Sequence, residues 1–100
     1  MTSATHSDAL PDIPTVGEFL PGYEASGWYG LGAPKNTAAE IIDKLNKVIN
    51  AALLDPSMKR RIADLGNTPF SSSSADFGKF IVEETEKWAK VIEFAHIQAE

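Results

Sequence analysis

The sequence has no cysteine, and its 9 Lys and Arg residues are outnumbered by 14 Asp and Glu residues. The absence of cysteine excludes disulfides and thiolate metal sites. The net charge of -5 argues against a nucleic-acid-binding face, which requires clustered basic residues. No apolar run approaches the roughly 18 residues that would suggest a membrane span. A chain of 100 residues, 43% of them hydrophobic, indicates at most one soluble globular domain, and this composition does not identify a function.

The sequence also lacks the patterns that are typical of catalysis or metal binding. The two histidines, His6 and His96, lie near opposite ends of the chain, and no HxH or HExxH spacing occurs. There is no GxSxG nucleophile motif. The glycines in residues 27–32 follow the order GxxGxG, which differs from the GxGxxG order of a dinucleotide-binding turn. We therefore predict no catalytic residue, no metal site and no cofactor, and we expect that the protein is not an enzyme.

Residues 1–22 are rich in residues that break helices and strands, including Pro11, Pro14 and Pro21. Proline pushes the residue before it toward extended conformations, so residues 10–13 are expected to be extended. Thr15 is expected to cap one short turn of helix. The first eight residues show neither a basic start nor an apolar stretch, so no signal peptide is visible. We interpret this part of the chain as a connecting segment.

The main strand is predicted over residues 26–33. Its aromatic and apolar residues favour β-structure, and their lack of alternation is typical of a strand buried on both faces of a mostly parallel sheet. A second, short strand is predicted over residues 67–71, although it contains Pro69. Trp28 and Tyr29 could line a ligand site at a strand end or could pack in the core, and the sequence leaves both interpretations open.

Three amphipathic helices are predicted from apolar residues at three- and four-residue spacing. They span residues 37–54, 56–65 and 74–97. Thr37 and Glu40 have the spacing of a capping box at the first helix, and Asp55 is placed to cap the second. Gly66 is expected to end the second helix, and Ser73 to begin the third. One main strand with three helices makes a poor domain alone, because small isolated sheets are marginally stable. We therefore expect an α/β fold whose sheet is completed by another chain or by further protein.

Two stretches of this sequence are recognisable: residues 10–16 read LPDIPTV and residues 28–34 read WYGLGAP. They resemble the LPDVPT and WYGLFAP segments of the Bug-type extracytoplasmic solute receptors, the substrate-binding proteins of tripartite tricarboxylate transporters. His6 stands where the family commonly has a basic residue, and Gly32 replaces a common phenylalanine. Nearly the whole chain matches in order, and the resemblance continues through Thr37 to Asn46, Asp55-Pro56, Ala63 to Gly66, Phe77, Ile81, Glu84, Trp88, Lys90-Val91, Ile97, Ala99 and Glu100.

The resemblance implies an α/β fold that forms the C-terminal segment of a two-lobed periplasmic-binding-protein clamshell. Residues 1–22 would then be an extended crossing segment between the lobes, and residues 23–100 the C-terminal α/β part of the first lobe. It also implies that the parent receptor binds small carboxylates for uptake and hands them to membrane transporter subunits in the periplasm. Trp28 and Tyr29 are the predicted ligand-binding residues.

A second hypothesis is that the chain is a truncated, non-binding structural or interaction module. Such a module would self-associate as a dimer or other homo-oligomer, by swapping elements or by completing its sheet with a second copy. Because no signal peptide is visible, this short form could be cytoplasmic. The two hypotheses differ in whether stability depends on a carboxylate or on protein concentration.

Overall fold

The computed structural model describes residues 1–7 and 10–98. Over these residues the chain forms one short 3-10 helix, Val16–Glu18, followed by three α-helices. These are α1 (Ala39–Leu54), α2 (Pro56–Asp64) and α3 (Ser74–Phe94). Each lies where a helix was predicted, but α3 ends at Phe94 and not at residue 97. The last two residues of the predicted α/β part, Ala99 and Glu100, lie outside the described residues.

The ends of α2 follow the predicted capping pattern. Asp55 Oδ1 accepts hydrogen bonds from the backbone N–H groups of Ser57 (2.9 Å) and Met58 (3.1 Å), and Pro56 is the first helical residue. At the other end Gly66 adopts a φ of +74°, and its N–H donates to the carbonyl of Ala63 at 2.8 Å. This left-handed conformation is one that glycine reaches without a Cβ clash, so it ends the helix as predicted.

The predicted capping box at the start of α1 is wrong. The Thr37 hydroxyl donates to the carbonyl of Pro34 at 2.8 Å, within the preceding turn. The helix begins at Ala39, and its cap residue Ala38 has no side chain that could accept from the helix. By contrast, Ser73 caps α3 as predicted, because its Oγ accepts from the Asp76 N–H at 3.0 Å. A threonine at this position can bond either to the start of the helix or to the preceding turn, and Thr37 bonds to the turn.

Neither predicted strand is confirmed. Residues 1–7 and 10–98 contain no β-strand; an isolated antiparallel bridge joins Ser7 and Leu10. Residues 26–33 and 67–71 run without regular secondary structure. A β-strand requires a hydrogen-bonded neighbour, and the described part of the chain offers residues 26–33 no ladder to join.

The apolar faces of the helices are incompletely covered. Among the described residues only Thr15 is buried, and no apolar side chain is. The accessible surface is 8507 Å², whereas a compact monomer of 10.8 kDa exposes about 5,500 Å². The radius of gyration is 16.4 Å, against roughly 13 Å for a compact domain of this length. Over the described residues, the chain therefore builds helices and contacts between them but not a closed hydrophobic core.

Candidate functional site

The predicted ligand-binding residues lie in the segment that crosses α3. The ring of Trp28 meets Phe77 and Phe80 edge-on, with centroid distances of 5.7 and 5.3 Å. Gly30 lies against the same Phe77 ring, so that an added Cβ would overlap its tip. Trp28, Phe77 and Phe80 form an aromatic cluster that fixes the segment on the helix. Edge-on aromatic pairs of this kind contribute about 0.5–1.5 kcal/mol beyond the area they bury.

Tyr29 is placed differently from its neighbour. Tyr29 is 90% exposed, whereas Trp28 is 41% exposed and contacts α3. Trp28 and Gly30, on either side of Tyr29, both lie against Phe77. The structure therefore does not bring Trp28 and Tyr29 together on one wall. Ligand binding by either residue stays a prediction.

A charged network holds the same segment to α3 and was not anticipated from the sequence. Lys87 Nζ donates to Glu24 Oε2 at 2.7 Å and forms a second ion pair with Glu84. The Trp88 indole N–H donates to the other Glu84 oxygen at 2.9 Å. The hydrogen bond from Lys87, supported by one from Ser26, lowers the pKa of Glu24 below its ordinary value.

Lys87 has one local and one distant partner. Its ion pair with Glu84 is an i,i+3 contact within α3, a spacing at which side chains of one helix meet. Its other partner, Glu24, is 63 residues away along the chain. No local spacing rule signals a contact of this separation.

Two asparagines on α1 form a second unanticipated contact. The side-chain amides of Asn46 and Asn50 both donate to the carbonyl of Ser72, each at 2.9 Å. They tie α1 to the residue just before the cap of α3. The sequence contained an indication of this contact, because the two asparagines lie on the same face of α1 as the half-buried Ile42, Ile49 and Leu53.

An open groove of about 400 Å³ lies on the N-terminal segment. It is lined by Ala4, Thr15, Gly17, Glu18, Gly22, Tyr23 and Glu24. Among the described lining residues the charged ones are carboxylates, and both are already paired, Glu18 with His6 and Glu24 with Lys87. A carboxylate ligand needs donors and positive charge, so this groove is not suited to one.

Two further kinds of feature are absent from the described residues. In residues 1–7 and 10–98 no group of three or more histidine, aspartate or glutamate side chains is arranged to hold a metal ion. No described helix combines the length and apolar character that a membrane crossing requires.

Comparison with known proteins identifies a class of transport receptor. Residues 1–97 match the family described as the tripartite tricarboxylate transporter family receptor. The chain therefore belongs to this family, and the resemblance seen in the sequence is confirmed. No solved structure matches the chain.

Individual relatives support the same assignment. A UPF0065 protein from the TAR-I ttuE-ttuC' intergenic region of Agrobacterium vitis is 40% identical over 96 residues, covering 92% of this chain and 28% of that protein. Protein BugT of Bordetella pertussis is 35% identical over 91 residues, covering 90% of this chain and 28% of that protein. A UPF0065 protein from the clcB-clcD intergenic region of Pseudomonas knackmussii is 30% identical over 94 residues, 56% of its length. The chain thus spans between about a quarter and just over half of these relatives.

Proposed function

We propose that this chain contributes to the solute-binding receptor of a tripartite tricarboxylate-type transporter. In this function the receptor captures small carboxylates in the periplasm and delivers them to membrane transporter subunits. The observation that carries the proposal is the family match over residues 1–97. The function is transport, and it requires no catalytic group.

The uncovered surface supports a role within a larger receptor fold. Ile41, Leu45 and Val48 form an apolar stripe along α1, and each is about half exposed or more. The chain exposes about 3,000 Å² more than a compact monomer of its mass. Covering an excess of this size on one side corresponds to a total interface of about 6,000 Å², at the upper end of or beyond the roughly 2,000–5,000 Å² that permanent interfaces bury.

We propose that further receptor polypeptide covers these faces, in a two-lobed periplasmic-binding-protein fold. Residues 26–33 then add a strand to its sheet, which satisfies their backbone groups. Residues 1–22 form the crossing between the lobes, and residues 23–100 the C-terminal α/β part of the first lobe. The alternative, a homo-oligomer of this chain, has no support in the structure or in the comparisons.

Trp28 and Tyr29 have distinct roles in this proposal. The packing of Trp28 against Phe77 and Phe80 fixes the backbone from which Tyr29 projects. The exposed phenol of Tyr29 is free to donate a hydrogen bond to a ligand carboxylate. Tyr29 is therefore the proposed contact and Trp28 the residue that positions it.

The experiment is a thermal melt of the chain with a panel of dicarboxylates and tricarboxylates, at two protein concentrations. A ligand at 100 times its dissociation constant adds about 2.7 kcal/mol to the stability of the state that binds it. For a domain of this length, that corresponds to a rise in melting temperature on the order of 10 °C. A saturable rise with one carboxylate supports the proposal and identifies the ligand.

Controls separate binding from other sources of stability. The amides of the same acids keep the shape but lose the charge, and they should give no rise. Tyr29→Phe should reduce the rise, whereas Tyr23→Phe, on a residue outside the proposed site, should leave it unchanged. A melt that responds to no carboxylate but rises with protein concentration would overturn the proposal in favour of self-association.

A further inference from the structure

His6 is held in an arrangement that the receptor function does not explain. Its ring Nε2 lies 2.7 Å from Glu18 Oε1, and its Nδ1 lies 2.8 Å from the carbonyl oxygen of Pro11. The same Glu18 oxygen accepts from the backbone N–H of Thr15 at 2.8 Å and from its hydroxyl at 3.2 Å. The imidazole thus bridges two turns of the N-terminal segment around Thr15, the one buried residue among those described.

The chemistry of the two contacts requires a charged ring. A carbonyl oxygen and a carboxylate are both acceptors, so each ring nitrogen must carry a proton to make its hydrogen bond. A neutral imidazole has one N–H, and whichever tautomer it adopts leaves a lone pair facing an oxygen. Both contacts therefore form together only when His6 is the imidazolium.

Among the described residues, Glu18 and the terminal ammonium are the charged groups that act on this ring. The Pro11 carbonyl is the main cause that raises the pKa of His6 above its ordinary value of 6.5, and Glu18 adds to it. Met1 carries the terminal ammonium, which donates to the carbonyl of Pro14 at 2.7 Å and weakly opposes the charge on His6. Glu18 has a lowered pKa, mainly because it accepts from the Thr15 N–H and then from His6.

We propose that His6 and Glu18 form a pH-sensitive latch that fastens residues 1–7 to the turn at residues 11–18. The latch is closed while His6 is protonated and Glu18 is ionised. It opens at higher pH, when the ring loses one proton and one of its two bonds. This inference does not rest on carboxylate binding and concerns the N-terminal segment alone.

The direction of each shift sets the pH range of the closed latch. Because the pKa of His6 is raised, its contribution to the stability of the folded state is fully present below pH 6.5, the ordinary pKa. This contribution is lost as the pH rises through the pKa of His6 in the folded chain. Because the pKa of Glu18 is lowered, its contribution to stability is present above pH 4.5 and is lost as the pH falls through the pKa of Glu18 in the folded chain. The latch is therefore fully closed in mildly acidic solution.

The test is an NMR pH titration of the histidine rings in the full chain. We expect the ring protons of His6 to titrate at a higher pH in the native chain than in concentrated urea. In mildly acidic solution the 15N shifts of both His6 nitrogens should be those of protonated nitrogens. The Thr15 amide signal should follow the same titration, because its acceptor is the latch carboxylate.

Glu18→Gln separates the latch from a general effect of folding. This variant keeps the size of the side chain and removes its charge, so the titration of His6 should move to lower pH. Glu86→Gln on α3 makes the same chemical change away from the latch and should leave the titration unchanged. If His6 titrates alike in native and urea-unfolded wild-type chain, or if Glu18→Gln does not move its titration, the proposal is wrong. The comparison between native and urea-unfolded wild-type chain does not depend on whether any variant folds.

Discussion

Replacement of Gly30 by alanine tests the contact between the predicted strand segment and α3. A Cβ at this position would overlap the Phe77 ring tip and lie 2.7 Å from Cε1, where ordinary contact begins near 3.4 Å. The ring must move by at least about 0.7 Å, against the neighbours Trp28 and Phe80 that hold it. Overpacking of this kind costs about 1–3 kcal/mol.

Gly32→Ala is the matched control, because a Cβ there meets nothing within 4 Å. Both substitutions restrict the unfolded chain to the same extent, so this effect cancels in the comparison. Urea unfolding followed by tryptophan fluorescence should show Gly30→Ala to be less stable than Gly32→Ala by about 1–3 kcal/mol. When both substitutions are made in a chain that also carries Phe77→Leu, which lacks the ring tip, the difference in stability between them should be smaller. Equal stability of the two alanine variants would show that residues 27–31 do not lie on α3 as described.

Two further predictions concern the cap of α3 and the ion pair that reaches it. Ser73→Ala removes the acceptor for the Asp76 N–H and should cost about 1 kcal/mol of stability in urea unfolding; Ser71→Ala, in the exposed loop before it, should be neutral. Because Lys87 lowers the pKa of Glu24, this ion pair contributes to stability above pH 4.5. The contribution is lost as the pH falls through the pKa of Glu24 in the folded chain. Glu24→Gln should therefore flatten the fall in stability between pH 5 and pH 3, measured by urea unfolding across that range; an unchanged pH profile would contradict the pairing.

Both ends of α2 and the start of α3 were predictable because they depend on neighbouring residues. Asp55 with Pro56, Gly66 and Ser73 each act within one helical turn, and no distant contact changes their hydrogen bonds. The start of α1 shows where this reasoning fails. Thr37 had two acceptable local partners, and the turn geometry at Pro34 decided between them.

The candidate site was less predictable, since its contacts join distant parts of the chain. The sequence singled out Trp28 and Tyr29 as a pair, but only the fold separates an aromatic ring packed on Phe80 from one in solvent. Glu24 and Lys87 showed no sign of pairing. Such contacts follow from the way residues 23–31 cross α3, and periodicity carries no information about that crossing.

The amino-acid sequence by itself determined the family, the three helices and most of their ends, because motif order and capping are local properties. The tertiary structure decided which apolar faces are covered and which are not, because burial depends on what packs against a helix. It also decided that residues 26–33 form no strand within this chain, since a β-ladder needs a second strand to supply the other half of each hydrogen bond.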